Sequence, residues 1–196
     1  GRSEDAVASL AKATKLNQKI VEAYFKLGEV YTEKNMTEEA LSEYTKAIEV
    51  KPGYAEAYYN SGELYASEGR HDKSITAWKK TLELNPKNAD ACFNLGVAYY
   101  NQNKLDKAIS MWNKLVEMNP NDYDALTSLA DVYDMQSLTD KAIHTWEKIV
   151  EFYPNDAEIQ YKLGNAYAKK NMHTTAIPFW ERAIEIDPSL VNAYYN

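Results

Sequence analysis

A single cysteine, three histidines and no run of 18 apolar residues leave this 196-residue chain few ways to carry out chemistry or to cross a membrane. Cys92 alone excludes an internal disulfide framework, and its place beside Leu95 and Tyr99 reads as an inert buried thiol. One cysteine suits cytoplasm and periplasm alike, so the compartment stays open. His71, His144 and His173 form no HExxH or paired-histidine spacing, which argues against a metal site and predicts solvated turn residues. Gly1 to Leu16 lacks the apolar core of a signal peptide. Lysine and arginine total 22 against 29 aspartates and glutamates, a net charge of -7, and no basic stretch is dense enough to track a phosphate backbone. Nucleic acid is therefore not an expected partner. Proline and glycine are scarce too, at six and seven, yet five of the prolines and four of the glycines fall in register.

Pro52, Pro86, Pro120, Pro154 and Pro188 recur every 34 residues, and Gly28, Gly62, Gly96, Ala130 and Gly164 keep the same period with one exchange. The period divides the chain into units 21–54, 55–88, 89–122, 123–156 and 157–190. Each unit holds two helical patterns. The first shows in Tyr24, Leu27, Gly28 and Tyr31, spaced as one helical face requires, over about thirteen residues that would not be stable alone. The second runs Ala40, Leu41, Tyr44, Ala47 and Ile48, and is echoed by Ala108, Ile109, Trp112, Leu115 and Val116. Polar stretches such as Glu33-Lys34-Asn35-Met36-Thr37 and Ser67-Glu68-Gly69-Arg70-His71 are too short for anything but antiparallel packing.

The glycine column is expected to let paired helix backbones approach closely. The prolines stop each second helix and steer the chain onward. Ser61, Ser74 and Thr81 stand where other units carry Leu or Ala, and predict slightly weaker packing in the second unit. Pro178 falls inside a second helix and predicts a kink or a late start near Thr174. Both ends read as cut. Residues 1–20 hold a second helix, Arg2–Leu16, with Ala6, Leu10 and Ala13 in register with Ala40, Tyr44 and Ala47, and 191–196 open a further first helix.

These columns, with the stretches Ala89-Asp90-Ala91-Cys92-Phe93-Asn94-Leu95-Gly96-Val97-Ala98-Tyr99-Tyr100 and Ala183-Ile184-Glu185-Ile186-Asp187-Pro188, resemble the tetratricopeptide repeat family. The resemblance implies an all-α fold: a right-handed superhelical solenoid of antiparallel helix pairs, read as one continuous domain of five full repeats with partial repeats at both ends.

Carboxylates such as Glu38-Glu39 and Asp131 with Asp134 recur by unit instead of converging, so the chain reads as no enzyme and calls for no cofactor. Trp78, Trp112, Trp146 and Trp180 share a column with Tyr44. They could form a ladder that grips a ligand or fill the seam between units. Ile75, Ile109, Ile143 and Ile177, three residues earlier on the same face, favour filling.

The face of each first helix opposite the glycine column carries Phe25 and Glu29, then Tyr59 and Glu63, then Phe93 and Tyr100. It continues with Asp131 and then Tyr161 and Asn165, and returns at Asn192 and Tyr195. Beside it run Lys26, Asn60, Asn94, Ser128, Lys162 and Asn196, of which the asparagine amides suit pairing with both N–H and C=O of a ligand backbone. In the family this face lines a concave groove that holds a peptide or helix of a partner. Members that grip the C-terminal carboxylate of chaperones do so with Lys, Arg and Asn, whereas Phe25, Glu29, Glu63 and Asp90 stand here. The expected partner is thus a basic or aromatic-containing protein segment, and the expected function an interaction scaffold. The alternative is a structural protein that self-associates through repeat ends or its convex face, and a third reading is the targeting arm of an enzyme.

Overall fold

Helices begin and end where the 34-residue period places them. The computed structural model describes residues 2–16 and 21–189, and among them it holds helices and no strand. In order these are α1 (Arg2–Leu16), α2 (Val21–Glu33), α3 (Thr37–Val50), α4 (Ala55–Ser67), α5 (His71–Leu84) and α6 (Ala89–Asn101). They continue with α7 (Leu105–Met118), α8 (Tyr123–Met135), α9 (Thr139–Phe152), α10 (Ala157–Lys169) and α11 (His173–Ile186). The expected further repeat at 191–196, with Asn192, Tyr195 and Asn196, lies outside the described residues, as do the side chains of Leu10 and Ala13.

The turn between the helices of a pair is built by one left-handed residue. Asn35, Gly69, Asn103, Ser137 and Asn171 have φ of 58°, 71°, 56°, 58° and 61°. The amide three residues after each helix then reaches back to a tyrosine carbonyl, as in Met36 to Tyr31 at 2.9 Å and Leu138 to Tyr133 at 2.8 Å. This closure satisfies carbonyls that a helix end leaves open, and it turns the chain sharply enough for the next helix to run antiparallel. Four of the five residues are Asn or Gly, the types that tolerate this conformation, and Ser137 is the exception. Ser137→Gly is accordingly expected to raise stability by about 0.5–1 kcal/mol, read as a higher urea midpoint at unchanged slope.

Between pairs, the residue before each proline is extended: Lys51, Asn85, Asn119, Tyr153 and Asp187 have φ from -127° to -137°. That is the conformation a following proline imposes. The next helix is then capped by a side chain in three cases, where Asn88, Asp122 and Asp156 accept from Ala91 N, Ala125 N and Ile159 N.

The chain gathers into two compact units, Gly1–Ala98 and Tyr99–Asn196, parted within α6. In the first, α2 packs on α3 and α4 on α5, while α1 rests on α2 and α3 on α4. Its core includes Tyr24, Phe25, Ala40, Leu41, Tyr44, Ala47, Ala57 and Leu64. In the second, α8 packs on α9 and α10 on α11, with α7 against α8 and α9 against α10. The small-residue columns are fully buried at Ala40, Ala108, Ala142 and Ala176. Ser61, Ser74 and Thr81 are buried as well, and each hydroxyl donates to a carbonyl of its own helix: Ala57, His71 and Ala77. The polar exchanges therefore leave no hydroxyl unsatisfied.

Two expectations gain a further part and one needs correction. The glycines admit aromatic rings, in addition to any effect on backbone spacing. A Cβ added at Gly28 would come within 2.5 Å of the Tyr44 ring, and one at Gly62 or Gly164 within 2.5 Å of Trp78 or Trp180. Those rings lie on the small residue of their own helix pair, so the tryptophans fill the pair itself, not merely the seam between pairs. Lastly, α11 starts at His173 in phase with the other second helices, not late near Thr174. Pro178 cannot donate to the Thr174 carbonyl, but both residues are exposed, and water can take that place.

Candidate partner-binding face

Within the first unit, the first-helix face brings Tyr59, Glu63 and Asn94 together across α4 and α6, with Asn60 on α4 and half-buried Phe93 on α6 beside them. Asn94 Nδ2 donates to Glu63 Oε1 at 2.7 Å and to the Tyr59 hydroxyl at 3.4 Å. Asn60 Nδ2 donates to the Tyr44 hydroxyl at 3.2 Å, which also meets Thr32 Oγ1 at 3.2 Å. The amide row thus reaches across to the neighbouring repeat. Asn60 keeps its carbonyl oxygen and a second N–H for other contacts, whereas Asn94 spends both N–H groups and keeps its carbonyl oxygen. Burial pushes the Tyr59 hydroxyl up to about 12, and the carboxylates of Glu63 and Asp90 act in the same direction. Burial also raises Glu63, while the Asn94 amide opposes the rise by favouring the carboxylate.

Phe25 and Glu29 stand apart from this group. Phe25 is 8% exposed, with its ring 5.5 Å from Tyr44 and 5.1 Å from Tyr54, so it belongs to the core. Glu29 is held by Lys26 at 2.6 Å. The carboxylates left open are Glu22, Glu56 and Asp90, exposed in the first turns of α2, α4 and α6. There they also complement the positive end of each helix.

Within the second unit the same face is lined by charges of both signs. Asp131 pairs with Lys162 at 2.9 Å and Asp134 with Lys169 at 2.6 Å, and Lys162 also meets Glu158 at 3.2 Å. Tyr100 donates to Met135 Sδ at 3.4 Å, and Met135 is 62% exposed. Asn165 Oδ1 accepts from Trp180 Nε1 at 3.0 Å, and Tyr161 is half-buried on the same helix. Tyr100, Asp131, Met135, Trp146, Lys162 and Asn165, with Asp134 and Lys169, line a cleft of about 390 Å³. The buried indole N–H of Trp146 has no hydrogen-bond partner.

Sequence reasoning named the carboxylates and aromatics of this cleft and placed Lys162 in the adjoining column, but missed its pairing with Asp131 and missed Lys169 altogether. The signal was present in the period. Asn94 with Glu63 and Lys162 with Asp131 are both 31 residues apart, one repeat less one helical turn, and therefore face each other across adjacent first helices. The three histidines are all exposed, as expected, but none lies in a turn: His71 and His173 are the first residues of α5 and α11, and His144 lies within α9. Cys92 is buried, as expected. Among the described residues no group of three or more His, Cys, Asp or Glu is placed to hold a metal ion. Among the same residues no helix is long and apolar enough to cross a membrane.

Comparison with known proteins agrees with this architecture. Family models described as TPR repeat or tetratricopeptide repeat match residues 1–48, 28–69, 62–103, 89–122, 111–144 and 157–190. No curated protein matches the chain. Among solved structures, YrrB, described as a TPR protein with an unusual peptide-binding site, is 25% identical with a TM-score of 0.79, over 95% of this chain and 96% of that one. A MamA protein is 25% identical with a TM-score of 0.75, over 88% of this chain and 94% of that one. A tetratricopeptide repeat protein from Parabacteroides merdae ATCC 43184, 20% identical with a TM-score of 0.69 over 93% of this chain and 73% of that one, shares the fold.

Proposed function

The chain belongs to the tetratricopeptide repeat family, and from that premise we propose that it is an interaction scaffold whose first-helix face holds a peptide or helical segment of a protein partner. The observation that carries this reading is the cleft of about 390 Å³ in the second unit, where Tyr100 and the exposed Met135 offer apolar surface beside Asp131 and Asp134, with the buried Trp146 at its floor. Apolar walls with a few convergent charges are what a binding site for a side chain requires. The peptide-binding site named for YrrB, which is similar along nearly its whole length, supports the same reading.

The partner segment is basic or aromatic-containing. Exposed Glu56 and Asp90 in the first unit, and exposed Asp124 and Glu158 in the second, edge the face with negative charge, while Tyr59, Phe93, Tyr100 and Tyr161 supply rings. Lysines from the segment can exchange places with Lys162 and Lys169, which are only partly buried. The test is a titration of a Lys/Arg-rich peptide containing Trp or Tyr. Tyr100→Ser is expected to weaken binding about tenfold or more, and moderate salt to weaken it further. Equal affinity in wild type and Tyr100→Ser, or binding indifferent to salt, would overturn the reading. A mass that grows with protein concentration in the absence of peptide would favour self-association instead.

A further inference from the structure

The widest opening among those described lies away from the first-helix face. In the first unit α3, α4 and α5 enclose a furrow of about 760 Å³, walled by Ile48, Tyr58, Ser61, Tyr65 and Ala77. The second unit repeats the feature two repeats further on, with Val116, Leu126, Leu129, Tyr133 and Thr145 at the equivalent positions, but there it encloses only about 300 Å³. Ser61 where the second unit has Leu129 removes most of a side chain from the wall, and Tyr58 in place of Leu126 turns a flat ring to it. Ser61 does not make the furrow polar, since its hydroxyl is spent on the Ala57 carbonyl. Thr45 and Thr76 likewise donate to Leu41 and Asp72. The walls therefore present methyl groups and rings.

The rim is cationic. Lys73, Lys79 and Lys80 edge the furrow against one carboxylate, Glu83, in a chain whose net charge is -7. Lys73 Nζ sits 5.5 Å from the Tyr65 ring and Lys80 pairs with Glu83 at 2.8 Å. Lys73, Ala77, Lys80 and Glu83 succeed one another at helical spacing on α5, so the furrow runs along about three turns, roughly 15 Å. That length, an apolar floor and two rows of helix side chains suit a third helix laid alongside.

We propose that this furrow is a second docking site, which takes an acidic amphipathic helix of a partner protein. A large apolar side chain fills the space over Ser61 and Ala77, and flanking carboxylates meet Lys73, Lys79 and Lys80. The site goes beyond the first-helix reading, because it lies on other side chains and selects the opposite charge. One chain could then hold a basic segment on one face and an acidic helix on another.

The test uses the full chain and a dye-labelled helical peptide of about 16 residues, with leucines four apart flanked by glutamates, followed by fluorescence anisotropy. Ser61→Leu restores the residue type that Leu129 already carries in a folded repeat, and is expected to weaken binding about tenfold or more. Lys79→Glu with Lys80→Glu, both outside the core, is expected to weaken it as much and to remove most of its salt dependence. Tyr100→Ser leaves it unchanged, which separates this site from the first-helix face. The proposal is overturned if the peptide does not bind, or if Ser61→Leu and the lysine variant both bind it as wild type does. It is equally overturned if the peptide fails to bind while Ser61→Leu abolishes a concentration-dependent rise in mass, since the occupant is then a second copy of the chain.

Discussion

Trp112→Ala is expected to lower unfolding stability by about 3–5 kcal/mol, enough to consume a large share of what an ordinary domain possesses. Trp112 is 2% exposed on α7, with the Tyr100 ring 6.2 Å away, so truncation leaves a cavity that backbone held in two helices cannot close. Its indole N–H is buried without a partner. The polar atom thus contributes nothing to stability and costs the desolvation of a donor. Trp112→Phe should therefore lose only about 1 kcal/mol, far less than alanine. Urea melts of the two variants would check the pair. An alanine variant that melts with wild type would mean the ring is not part of the core, and a phenylalanine variant as weak as alanine would mean the N–H is satisfied after all.

Gly62→Ala is expected to be destabilising by about 1–2 kcal/mol, the clash against a buried ring outweighing the roughly 1 kcal/mol that alanine gains in a helix. The new Cβ would sit 2.5 Å from Trp78 Nε1 and 2.6 Å from its Cδ1. Trp78 is 4% exposed, so its ring can move only by displacing the side chains that enclose it. With Trp78→Ala already in place the obstacle is gone, and Gly62→Ala should then stabilise by about 1 kcal/mol. The reversal of sign in a double-mutant cycle is the diagnostic result. Additive effects would separate the glycine from the ring. The second unit shows that a methyl group can be accommodated at this position, because buried Ala130 occupies the corresponding place in α8. There Leu126 and Leu129 replace Tyr58 and Ser61 on the same helix, while the ring of the column remains a tryptophan, Trp146.

Much of the fold was legible because it is local. A left-handed residue, a proline and a helical stripe each act within a few positions, so Asn35, Pro52 and the Ala40–Tyr44–Ala47 stripe mark helix ends and buried faces without knowledge of anything distant. Register did the rest, and even the serine and threonine exchanges in the second repeat could be placed. The candidate site was less legible. Phe25 and Tyr59 occupy the same column, yet Phe25 is closed over by Tyr54 and joins the core, while Tyr59 stays half open and bonds to Asn94. Nothing within either helix distinguishes them, since the difference comes from the residue just before the following first helix, Tyr54 ahead of α4 and Asn88 ahead of α6.

The sequence by itself determined that this chain is an array of paired helices, which residues bound each helix and which stripe each buries, because backbone dihedral preferences and helical period are properties of neighbours in the chain. Only the tertiary structure decided that tryptophans lie on the glycines of their own pair, that Lys162 and Lys169 answer Asp131 and Asp134, and that Ser61 opens a lysine-rimmed furrow. Those outcomes depend on distances between side chains some 15 to 35 positions apart, set by how two helices happen to meet and by what volume each residue leaves its neighbour.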